Sequence, residues 1–155
     1  MWKKPTFIID IKKVQRNIEK MQQKAARSHV VFRPHFKTHQ NAEIGELFRK
    51  KGITRIAASS VSMAKFFSKH GWKDITIAFP LNHREITDIN KLATSVNLNL
   101  LVESDYSAEF LTQNLKSEAG VFIKIDTGYH RTGLKSENLD EINAIINTIN
   151  TSIGS

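Results

Sequence analysis

The sequence predicts an α/β protein built on a parallel sheet. Short apolar runs alternate with amphipathic helical stripes along the whole chain. Successive apolar runs lie about 20–25 residues apart, the length that a parallel crossover with a covering helix needs. The joints carry residues that cap helices or end strands, among them Asp10, Gly52, Ser60, Gly71 and Pro80. A doubly wound sheet and part of a β/α barrel both satisfy this pattern. No Gly-x-Gly-x-x-Gly follows the first strand, so a dinucleotide fold loses its main support.

Phe7–Asp10 reads as a short opening strand. Asp10 then caps a helix whose apolar stripe is Ile11, Val14, Ile18, Met21 and Ala25. Val30–Arg33 follows as a buried strand, ended by Pro34, which cannot donate to a ladder. Ile44, Leu47 and Phe48 mark the next helix, with Gly52 behind it. Ile56–Ser59 is a strand, and Ser60 caps a helix carrying Met63, Phe66 and Phe67 that stops at Gly71. Ile75–Phe79 is a strand ended by Pro80, and Ile86, Ile89 and Ala93 lie on a helix face. Leu98–Val102 is a strand, with Asp105 capping a helix that bears Ala108, Leu111 and Leu115. Val121–Ile125 is the last strand, and Ile142, Ile145, Ile146 and Ile149 form the last helical stripe. Five strand-then-helix units therefore follow one leading helix. No stretch reads as an interdomain linker.

With 155 residues, 40% of them hydrophobic and 25% charged, the chain suffices for one domain with a real core. It has no cysteine, which excludes a disulfide scaffold and a thiolate metal site and fits a reducing compartment. No run approaches the roughly 20 apolar residues of a membrane span. The apolar patch near the N-terminus is too short for a signal peptide and is interrupted by Asp10, so a cytoplasmic location is expected. The net charge is +8, but the lysines and arginines are spread out. Arg49-Lys50-Lys51 is the densest basic block, which speaks for a solvated basic surface and against nucleic acid as a partner.

The stretch Arg33-Pro34-His35-Phe36-Lys37-Thr38-His39-Gln40 places a lysine between two histidines just past a predicted strand end. That is where α/β proteins keep their chemistry. A lysine there forms a Schiff base with a carbonyl when burial or a nearby cation keeps its amine neutral. The same spacing also fits a surface lysine in a polar loop. The stretch Lys124-Ile125-Asp126-Thr127-Gly128-Tyr129-His130-Arg131-Thr132-Gly133 places an arginine just past the fifth predicted strand, with glycines suited to tight turns. Asp126 either orients Arg131 or the loop, or caps the turn. Tyr129 fits a pocket wall or packing, and His29, His70 and His83 read as surface residues.

The octapeptide resembles the lysine segment of the D-threonine aldolase and D-serine dehydratase family of fold type III, alanine racemase-like enzymes that use pyridoxal 5'-phosphate (PLP). Thr6–Asp10, Ser59–Ala64, Gly71–Ile75 with Ala78–Pro80, and Lys124–Gly133 resemble it in the same order, and the last is also similar to alanine racemase. Pro5 precedes Thr6 where the family opens with Thr-Pro, a small departure. The resemblance covers almost the whole chain. It implies that residues 1–155 are an incomplete alanine racemase-like N-terminal β/α barrel domain, about five of eight units, without the C-terminal β domain. Open strand edges are then expected at units one and five.

The resemblance also implies a site. Lys37 is the catalytic residue and holds PLP as a Schiff base. His35, Thr38 and His39 stand beside the cofactor, and Arg131 hydrogen-bonds its phenolic oxygen. The family's divalent metal has its ligands in the C-terminal domain, so no metal ligand is expected in this chain. The substrate is a small D-amino acid, and the full-length form is a homodimer. The implied activity is that of a D-amino-acid lyase, either aldolase or dehydratase. An amino-acid racemase and a non-catalytic PLP-binding fragment are the alternatives. Loops that grip the PLP phosphate follow strands seven and eight of such a barrel, so the isolated chain is expected to be weakly active or inactive.

Overall fold

The computed structural model describes residues 8–152. Phe7, the first residue of the expected opening strand, and Thr6, which begins the family-like opening motif, lie outside the described residues, and Ile8–Asp10 joins no sheet. Helix α1 (Ile11–Arg27) follows, and Asp10 caps it by accepting the Lys13 N–H at 3.0 Å. Ile18 is the one fully buried member of the α1 stripe, while Ile11 and Met21 stay about half exposed. Helix α2 (Ala42–Arg49) is capped by Asn41, which accepts the Ile44 N–H at 2.9 Å.

Four parallel strands form the main sheet: β1 (Arg55–Ala58), β2 (Asp74–Pro80), β3 (Asn97–Val102) and β4 (Gly120–Ile123). Their order in the sheet is their order in the chain. The register sets Ala57 beside Thr76, Thr76 beside Asn99 and Asn99 beside Gly120. Helices α3 (Val61–Lys69), α4 (Ile86–Ala93) and α5 (Asp105–Asn114) make the crossovers, and α6 (Leu139–Ser152) comes last. Right-handed crossovers that never reverse direction keep every connecting helix on one face of the sheet. A doubly wound sheet reverses at its switch point. This one does not, so it is the arc of a β/α barrel, and the question the strand pattern left open is answered.

The core lies between sheet and helices. Ile56, Ala58, Ile75, Ile77, Leu98 and Leu100 bury their side chains there against Ala64, Phe67, Ile89, Leu92, Ala108 and Leu111. The other face carries Ala57, Thr76 and Asn99 in one row. A Cβ on Gly120, next in that row, would collide with the Asn99 carboxamide.

The structure corrects four expectations. Val30–Arg33 is not a strand: it runs beside β1 and joins it at one bridge, His35 to Ala57, where the Ala57 N–H donates to the Pro34 carbonyl at 2.9 Å. Val30 and Val31 are 60% and 63% exposed, because this segment is the sheet's edge and nothing among the described residues covers its outer side. Ser104, not Asp105, caps α5, since β3 stops at Val102 and Ser104 is the last extended residue. Its hydroxyl accepts the Ser107 N–H at 3.2 Å, while Asp105 begins the helix and accepts from the Thr148 hydroxyl at 2.7 Å, tying α5 to α6. The last predicted strand divides at Lys124, and its second half, β5 (Ile125–Asp126), pairs in parallel with β6 (Leu134–Lys135). His83 is half-buried, within 3.2 Å of the Ser107 hydroxyl. Among the described residues no helix is long and apolar enough to cross a membrane.

Candidate active site

Lys37 sits in a single 3-10 turn, Phe36–Thr38, just past the Pro34–His35 contact with β1. Its backbone is tied on both sides. The Lys37 N–H donates to His35 Nδ1 at 3.3 Å, and Gln40 Nε2 donates to the Lys37 carbonyl at 3.2 Å. Gln40 takes a left-handed backbone, φ 44°, as its own N–H turns back to the Phe36 carbonyl. Phe36 is fully buried and meets the rings of His39, Phe67, Phe48 and Trp72 at 4.5–5.1 Å between centroids. The turn therefore drives Phe36 into the helix layer and leaves Lys37 and Thr38 exposed.

The two histidines have different surroundings. His39 stacks on Phe48 at 5.7 Å, and its Nε2 is buried with no partner among the described residues. Burial lowers its pKa. His35 is lowered by burial first and by the Lys37 charge second. Both shifts favour the neutral ring.

Arg131 lies in the loop between β5 and β6. One oxygen of Asp126 accepts the backbone N–H groups of Gly128, Tyr129 and His130 at 2.9–3.1 Å. These bonds, that of His130 foremost, hold the Asp126 carboxyl below its ordinary value. Asp126 thus closes the turn from inside. Gly133 has φ +111°, and a Cβ there would stand 2.9 Å from the Asp126 nitrogen, so a side chain has no room. His130, like Gln40, is left-handed, at φ 56°. The Arg131 guanidinium lies over the Tyr129 ring, 5.2 Å from its centroid.

Both loops follow the C-terminal ends of parallel elements, so Lys37 and Arg131 share one rim of the sheet. Counting the edge segment as the first position, they stand at positions one and five of the arc. In a ring of eight strands those positions are diametrically opposite, facing each other across the mouth. The same rim carries residues the sequence did not single out. Glu103 directly follows β3, and its Oε2 is buried without a partner among the described residues, as is the Thr132 hydroxyl. The only signal for Glu103 was a carboxylate immediately after a buried strand. Lys124 Nζ donates to the Thr132 carbonyl at 2.9 Å. A cavity of about 470 Å³ opens beside the rim, lined in part by Ser59, Ser60, Asn82 and Glu85. No group of three or more histidine and carboxylate side chains among the described residues could hold a metal ion.

A singly wound parallel sheet whose strand order never reverses is the arc of a β/α barrel. More narrowly, the chain belongs to the family of the alanine racemase N-terminal domain, whose model matches residues 9–153. It is 35% identical to D-serine dehydratase of Dictyostelium discoideum over 77% of this chain and 33% of that protein. It is 30% identical to D-threo-3-hydroxyaspartate dehydratase of Delftia sp. strain HT23 over 94% of this chain and 39% of that one. The solved structure of the Delftia enzyme superposes with a TM-score of 0.87 at 28% identity, covering 93% of this chain and 39% of that chain. D-threonine aldolase from Filomicrobium marinum has the same fold, with a TM-score of 0.84 at 20% identity over 92% of this chain and 40% of that one. The chain spans about a third to two fifths of the length of these relatives. The resemblance carried by the lysine and arginine motifs is borne out.

Proposed function

We propose that this chain is the N-terminal barrel portion of a PLP-dependent D-amino-acid lyase, a dehydratase or an aldolase. The observation that carries the reading is Lys37 itself. Its backbone is fixed on both sides while the residue stands exposed on the rim that also carries Arg131. Two donors of the rim suit PLP: Lys37 would hold it through the ε-amine, and Arg131 would offer a guanidinium to its phenolic oxygen. His35 and Thr38 stand on the same turn. His39 backs that turn from the aromatic layer, where its buried Nε2 awaits a partner. When bound, PLP supplies an electron sink for the charge left on Cα as a bond to it breaks.

The named substrates of the relatives, D-serine and 3-hydroxyaspartate, share a hydroxyl on the carbon next to Cα. The same class, a small 3-hydroxy D-amino acid, is the substrate proposed here. The wider reading includes a cytoplasmic homodimer. It also includes a β-rich second domain and a divalent metal. Racemisation has less support, since the alanine racemases match at 17% identity and carry the fold alone.

The test is a PLP titration followed by visible absorbance, then borohydride reduction and peptide mapping. A visible band with the reduced label on Lys37, lost in Lys37→Ala, is expected. Label scattered over surface lysines, or none, sinks the assignment of Lys37.

A further inference from the structure

We propose that Asp74, at the far end of the sheet from the rim, is a positioning residue that sets where Lys37 stands. The proposal rests on the PLP reading for its functional consequence and on the geometry alone for its structural part.

The segment that carries Lys37 has almost no ladder to hold it. It meets β1 at the single bridge of His35 and Ala57, with the one backbone bond from Ala57 to Pro34. A parallel pair joined at one point can slide or swing. Arg33 supplies the missing ties: its Nη1 donates to the Ile56 carbonyl at 3.2 Å and to Asp74 Oδ1 at 2.6 Å. The side chains of this pair are 23% and 16% exposed, so water screens it less than a surface pair.

Asp74 is shared. Its other oxygen lies 3.2 Å from Arg55 Nε on β1 and 3.4 Å from Asn97 Nδ2 at the start of β3. One carboxylate thus joins the edge segment to three consecutive strands. Among the described residues, the salt bridges of Arg33 and Arg55 both end on Asp74. Without its charge the two guanidinium groups face each other across a neutral group and repel. Arg33 then loses its hold, and the register of the edge segment with it.

The chain between Arg33 and Lys37 transmits that loss. Pro34 fixes its own φ, His35 makes the bridge to β1, and Phe36 is locked among four rings, so no slack lies between the clamp and the lysine. Asp74 begins β2 and Lys37 follows the strand ends, so Asp74 touches neither cofactor nor substrate. It acts through Arg33.

Asp74→Asn keeps the shape and removes the charge; Asp74→Glu keeps the charge. Amide hydrogen exchange is measured without PLP, and the PLP titration with borohydride mapping is run on the same proteins. In Asp74→Asn the amides of residues 35–40 exchange about tenfold faster, and half-saturation by PLP rises by about the same factor. The amides of β3 and β4 keep their wild-type protection. Asp74→Glu restores both readouts, which a general loss of stability would not. Arg33→Gln, which leaves Asp74 with Arg55 and Asn97, gives the same local loosening and serves if Asp74→Asn fails to fold. Wild-type exchange at residues 35–40 in either neutral variant overturns the proposal. Local loosening with no label on wild-type Lys37 upholds the clamp and overturns the PLP reading instead.

Discussion

In the lysine turn, the buried ring of Phe36 meets four other rings, and the polar backbone bonds are few. In the arginine loop the reverse holds: Tyr129, His130 and Arg131 are exposed, and one carboxylate gathers three consecutive N–H groups. At the rim itself, away from the Asp74 clamp at the far end of the sheet, the two halves are thus fastened by different physics. Packing holds a loop through volume and tolerates no cavity. A carboxylate holds a loop through charge-assisted bonds, is indifferent to nearby side-chain volume, and fails when protonated. The rim can therefore be loosened on one side at a time.

The largest separation comes from Phe36→Ala. Removing a fully buried aromatic ring costs about 3–5 kcal/mol of stability, read from urea unfolding. The amides of residues 35–40 and of α2 and α3 should lose protection first, while those of residues 128–130 keep theirs until global unfolding. Equal loosening of both loops would break the comparison.

Asp126→Ala should do the opposite. The amides of Gly128, Tyr129 and His130 lose their common acceptor and exchange faster, with little change in the unfolding midpoint. Asp126→Asn, which keeps one acceptor oxygen, should fall between. A large drop in global stability would show that the loop is more than locally fastened.

The smallest effect is a difference in pH response. His35 and His39 have folded pKa values below the ordinary 6.5. As pH falls through 6.5 the unfolded chain takes up protons that the folded turn refuses, so the turn loses stability from there downward. Asp126 has a folded pKa below the ordinary 3.8, so its contribution is intact above 3.8 and is lost only as pH falls further. Between about pH 6 and pH 4, amide exchange corrected for its intrinsic pH dependence should rise at residues 35–40 and stay flat at 128–130. His39→Phe should flatten part of the first response.

The strand-helix alternation was legible because each unit states itself locally. Asp10, Ser60 and Gly71 punctuate the chain where their chemistry says they should, and β1 to β4 fall on the apolar runs. Val30–Arg33 misled because an apolar run looks the same at a sheet's edge as inside it; the number of partners is not a local property. Ser104 and Asp105 are both good caps, and which one serves depends on where β3 lets go. For the candidate site, the places of Lys37 and Arg131 just past parallel strand ends could be read from their motifs. Asp74 could not. It meets Arg33 across 41 residues, and nothing near either one announces the pair. Glu103 and Thr132 show themselves only as buried oxygens without partners, which is a property of packing and not of spelling.

The unreversed strand order has a kinetic consequence. In the main sheet each strand after β1 pairs with the one made just before it, about twenty residues earlier, as Asp74 with Arg55 and Gly120 with Asn99. Loop closure at that separation is cheap, and no strand waits for a partner from the far end of the described chain. The sheet can therefore grow in the direction of synthesis, with the lysine segment laid down against β1 before the arginine loop has left the ribosome.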